Sequence, residues 1–116
     1  MKLGELQAAL RDRGGAADVW LVYAIDPFEE VQGGRIVLVL QRAFWTRGES
    51  YAWAQRTRQE KRWQQFYVFR ISVSLEWSFG TDPCAATFEA EFGRPRPLPH
   101  VCVRPTELAA ALATYP

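Results

Sequence analysis

The sequence predicts an α+β domain: an antiparallel, curled β-meander of five to six strands, flanked by an N-terminal and a C-terminal helix. Three observations predict it. Residues 63–79 alternate apolar and polar side chains, with Trp63, Tyr67, Phe69, Ile71, Val73, Leu75, Trp77 and Phe79 on one face. Strand side chains repeat every second residue, so this is a strand with one face to the core and one to water. Two further runs, 18–25 and 35–45, are apolar on both faces, the mark of central strands covered from both sides. Leucines recur at helical spacing near each end of the chain.

The elements follow in order. Residues 2–13 read as a helix whose stripe is Leu3, Leu6 and Leu10, stopped by Gly14 and Gly15. Residues 18–25 form a strand ended by Asp26-Pro27, because proline cannot donate to a ladder. A loop with Gly33-Gly34 leads to the strand at 35–45. Thr46-Arg47-Gly48-Glu49 reads as a hairpin connection. Tyr51 and Trp53 alternate with Ala52 and Ala54, which makes 50–57 a strand running into a polar turn near 58–62. At seventeen residues the strand at 63–79 exceeds the usual length and must bend, bulge or project. A turn at 80–83 precedes a strand at 85–92, and three prolines make 93–99 an extended connector. Residues 100–103 suit a short last strand. Pro105 then opens a helix with Leu108, Leu112 and Tyr115 as its stripe.

Composition narrows function mostly by exclusion. The 116 residues suit a single domain spanning 1–116, and 48% hydrophobic with 23% charged residues is ordinary for a globular chain. No apolar run is long enough to cross a membrane, and the first residues lack the apolar stretch of a secretory signal, so a cytoplasmic location is expected. No nucleotide-binding, hydrolase or zinc-protease motif occurs, and the chain is not expected to be an enzyme. Cys84, Cys102 and His100 lack the paired spacing of a zinc site, and neither metal nor cofactor is expected. Glu89 and Glu91, two residues apart on one strand, could share a proton or a metal; a solvated strand face is the commoner use of that spacing.

Charge is the feature above background. The net charge of +1 is a cancellation: residues 1–34 carry −3, residues 35–70 carry +6 and residues 71–116 carry −2. The basic middle third also holds eight of the sixteen aromatics. Trp, Tyr and Arg bury much area while still making polar contacts, so they dominate protein interfaces. Aromatic faces among arginines also suit single-stranded nucleic acid. The plain alternative is that the aromatics fill the core and the arginines coat a solvated face. The expectation is a small cytosolic protein-binding module, of the inhibitor or antitoxin-like kind. It acts through a basic aromatic β-hairpin that presents Trp45, Arg47, Trp53, Arg56, Arg58, Lys61, Arg62 and Trp63 to an acidic partner surface. Single-stranded nucleic acid is the alternative ligand, and a homodimer is compatible with either.

Overall fold

The computed structural model describes residues 1–25, 38–60, 65–80, 87–92 and 103–113. Its elements run α1 (Leu3–Asp12), β1 (Ala16–Ile25), β2 (Leu38–Phe44), α2 (Arg47–Glu60), β3 (Phe66–Ser74), α3 (Leu75–Ser78), β4 (Thr87–Phe92) and α4 (Pro105–Ala113). The fold is α+β with an antiparallel sheet, as the sequence predicts. Among the described residues the sheet has four strands in the order β2-β1-β3-β4.

β1 lies at the centre, paired antiparallel to β2 on one side and to β3 on the other. Its two apolar faces are both covered. Val19, Leu21 and Tyr23 join an inner cluster with Leu6 and Leu10 of α1, Phe69, Ile71 and Val73 of β3, Trp77 of α3, and Leu108 and Leu112 of α4. Val22 and Ala24 join an outer cluster with Phe44, Phe66, Val68 and Ala54 of α2. Helices therefore cover the sheet on both faces, with α2 the only one on the outer face among the described residues. The ten-residue α1 is too short to be stable in isolation. Burying Leu6 and Leu10 completely contributes roughly 2–3 kcal/mol each toward holding it.

The strand order departs from a meander. β2 and β3 are both antiparallel to β1, hence parallel to each other, and β1 separates them. Parallel strands need a crossover connection, usually a helix, and α2 supplies it. The hairpin expected at 46–49 and the strand expected at 50–57 are both replaced by this helix. Thr46 is the reason at the N-terminus: its Oγ1 accepts the Glu49 N–H at 3.4 Å. Thr-Arg-Gly-Glu is the S/T-x-x-E pattern of a helix start. The sequence shows no apolar stripe because the seat of the helix is built from small residues. Ser50 and Ala54 are buried, and the Ser50 and Thr57 hydroxyls donate to Arg47 O at 2.6 Å and Trp53 O at 2.9 Å. Hydroxyls satisfied by their own helix can face a core.

The long strand expected at 63–79 is shorter. β3 ends at Ser74, whose hydroxyl accepts the Trp77 N–H at 3.1 Å and starts the one-turn α3. Trp77 stays buried, while Phe79, placed on the core face by strand parity, is 61% exposed. β4 and α4 fall within the expected strand at 85–92 and helix after Pro105; the connector at 93–99 and residues 100–102 lie outside the described residues.

Two local devices fix the layers. In β2 the register passes from Val22↔Arg42 to Tyr23↔Leu40, so Gln41 is an extra residue. This bulge lets Leu38 and Leu40 face the same cluster as Ala43, which strict alternation forbids. At the end of α1, Gly15 N–H bonds Leu10 O at 2.8 Å and Gly14 N–H bonds Arg11 O at 3.1 Å. Both glycines have positive φ, 83° and 90°, which glycine adopts without the Cβ penalty. Gly15 O then accepts the Leu75 N–H at 2.8 Å, tying α1 to the start of α3.

Gly15→Ala should destabilise the protein by about 1–2 kcal/mol, the usual left-handed penalty. Gly4→Ala, at an exposed helical position with nothing near the new methyl group, should be neutral or stabilising. Urea unfolding of both variants checks the contrast in sign.

Tyr23 yields a second prediction. Burial, and then the Glu107 carboxylate, push its hydroxyl well above the ordinary phenol range. The folded state therefore holds this proton where the unfolded chain loses it. The associated stability is complete below about pH 10 and falls as pH rises above it. Tyr23→Phe should flatten that alkaline loss in denaturation measured from pH 8 to 11.

Candidate arginine–aromatic interface

The basic segment folds mainly into β2, α2 and the start of β3, and its aromatics are divided between two layers. Trp53 sits in the outer layer, edge-on to Phe66 with ring centres 5.6 Å apart and tilted against Phe44 at 6.3 Å. Trp45 packs against the inner cluster. Both tryptophans are half-buried. The chain passes from one side of the sheet to the other at Trp45-Thr46-Arg47, where β2 ends and α2 begins.

Arginines lie on these rings. The Arg13 guanidinium, at the end of α1, sits 4.0 Å from the centre of the Trp45 ring. Arg47 sits 4.9 Å above Tyr51, four residues on, and its Nη2 donates to the Tyr51 hydroxyl at 3.3 Å. Arg42 lies 5.8 Å from the Trp53 ring and Arg11 6.0 Å from the Phe79 ring. Such contacts occur about once per 70–80 residues in proteins. Four among the described residues make arginine–aromatic stacking a recurrent device of this chain. Arg42 is the least exposed of the stacked four, and its Nε is buried without a hydrogen-bond partner among the described residues. The Trp53 ring partly offsets that cost.

The expected site residues divide accordingly. Arg47, Arg56 and Arg58 are exposed on α2, with Trp53 half-buried beneath the helix. Arg56 and Arg58 stand nine and eleven residues from Arg47, about 14–17 Å along the axis. Trp45 adjoins Arg47 in the chain but faces the inner layer, on the opposite side of the sheet from Trp53. Lys61, Arg62 and Trp63 lie outside the described residues. The segment expected as a hairpin is thus a helix with its N-terminal shoulder.

Two residues of the Arg13–Trp45 and Arg47–Tyr51 contacts are absent from the expected set. Tyr51 could have been found from its i, i+4 spacing to Arg47 once Thr46-Arg47-Gly48-Glu49 is read as a helix start. Arg13 carries no sequence signal, because only the fold brings it to Trp45. The paired carboxylates fare differently. The register of β4 runs from Glu89 opposite Arg70 and Ala90 opposite Phe69 to Phe92 opposite Val68, leaving Glu91 as the extra residue. The two-residue spacing therefore crosses an irregularity in the register. No group of three or more His, Cys, Asp or Glu residues able to hold a metal occurs among the described residues; Cys84, His100 and Cys102 lie outside them.

Compared with protein families, with curated proteins and with solved structures, the chain shows no match.

Thr46→Ala should cost about 1 kcal/mol through loss of the α2 cap. Trp53→Ala should cost more, about 2–3 kcal/mol, because it removes the ring between Phe44 and Phe66. Chemical denaturation of the two variants ranks them.

Proposed function

We propose that this chain is a small non-enzymatic protein-binding module that docks α2 and its N-terminal shoulder on an acidic surface of another protein, as an inhibitor does. The observation that carries this reading is the make-up of α2. Arg47, Arg56 and Arg58 are exposed around half-buried Tyr51 and Trp53, and Arg47 is stacked on its aromatic neighbour. Arginine, tyrosine and tryptophan are the residues that anchor protein interfaces. A stacked guanidinium still directs its N–H groups outward in the ring plane toward carboxylates.

The same geometry favours a protein over a single-stranded nucleic acid. Stacking a base requires an available aromatic face. Here Tyr51 lies under Arg47, Trp45 lies under Arg13, and Trp53 is packed against Phe44 and Phe66. No helix among the described residues is long and apolar enough to cross a membrane.

The test is quantitative affinity capture from a lysate of the source cells. It compares the protein with the Arg47→Glu/Arg56→Glu/Arg58→Glu variant, after circular dichroism shows that both are folded. A partner recovered by the protein should fall at least tenfold with the variant. Equal recovery would overturn the reading. So would tight binding to a single-stranded oligonucleotide that weakens steeply with salt, because counterion release marks a nucleic-acid site.

A further inference from the structure

We infer that Arg13 belongs to the binding surface and forms, with Arg47, a two-arginine grip for the carboxylates of an acidic polypeptide segment at the end of β2. The inference rests on the protein-binding reading above and extends it to the residue that follows α1, outside the basic segment.

The geometry points there for three reasons. Arg13 makes the shortest arginine–aromatic contact of the four, 4.0 Å over Trp45, and remains exposed. Trp45 and Arg47 are two residues apart, so their Cα atoms lie within about 7 Å of each other. Arg13, over Trp45, and Arg47, over Tyr51, therefore flank the same turn, one on the inner side of the sheet and one on the outer. The Arg13 charge is also available. Arg13 has no carboxylate partner among the described residues; beyond the ring it makes only a 3.4 Å bond from Nη1 to Ala9 O in its own helix.

The chemistry selects the ligand. A guanidinium laid on a ring has already lost much of its rotamer freedom, so less entropy is lost when it binds. Its planar fork matches a carboxylate in a way the lysine ammonium does not. A segment with several glutamates or aspartates can place one carboxylate on each side of the turn.

The probe is a fluorescein-labelled oligoglutamate peptide, titrated at low ionic strength and read by fluorescence anisotropy. Arg13→Gln and Arg47→Gln should each weaken binding by about tenfold, as loss of a charge-assisted contact does. Arg13→Lys, which keeps the charge, should weaken it nearly as much as Arg13→Gln. Arg104→Gln removes an exposed arginine at the start of α4 and should leave binding unchanged. If both Arg13 variants bind like the unaltered protein while the α2 triple variant is weakened, the grip is wrong and the protein-binding reading stands. If the unaltered protein does not bind the peptide, or the α2 triple variant binds it equally well, both fall.

Discussion

Every layer of this fold meets at β1. Two adjoining strands hydrogen-bond to it, and its side chains alternate between two apolar compartments with no water-facing side along Val19–Ala24 apart from half-buried Trp20. A strand placed this way cannot be stabilised by one partner layer. It needs α1 and α4 on the inner face and α2 on the outer, and each of those helices depends on it in return. α2 shows the dependence most clearly: its seat is two small buried residues and a half-buried tryptophan, too little apolar surface to order a helix without a sheet beneath it.

The arginine-bearing turn follows from the same constraint. With β1 between β2 and β3, the chain must leave the end of β2, cross the sheet and re-enter as a parallel neighbour. The turn at Trp45-Thr46-Arg47 therefore has one side chain in each layer within a few residues. An edge-strand terminus whose flanks both carry arginine on aromatic rings is a product of topology. Among the described residues, the crossover distributes the basic residues of the middle third among half-buried sheet positions (Arg42 and Arg70), the helix shoulder (Arg47) and the exposed part of α2 (Arg56 and Arg58).

Legibility in the sequence tracked how local the signal was. The helix ended by Gly14 and Gly15 and the doubly apolar β1 could be read directly, because both are encoded in residues a few positions apart. α2 was misread because alternating Tyr51-Ala52-Trp53-Ala54 fits either period. Its deciding signal, the Thr46–Glu49 pattern, also resembles a glycine turn. The odd-position alternation of β3 continued through Leu75, Trp77 and Phe79, so Ser74 as a helix start was hidden within a longer apparent strand. The Arg13–Trp45 contact spans thirty-odd residues and has no local trace. The segment that carries Arg47, Arg56 and Arg58 reads as a hairpin in the sequence and is a helix in the fold.

The central position of β1 also bears on how the chain is made. The second hydrogen-bonding edge of β1 is satisfied only by β3, which follows β2 and α2 in the chain. Through that interval a strand rich in Val, Leu and Tyr has an open edge and an uncovered face. Those are the properties that recruit other nascent chains. The crossover that creates the arginine-bearing turn thus also lengthens the stretch of chain needed before both edges of β1 are paired.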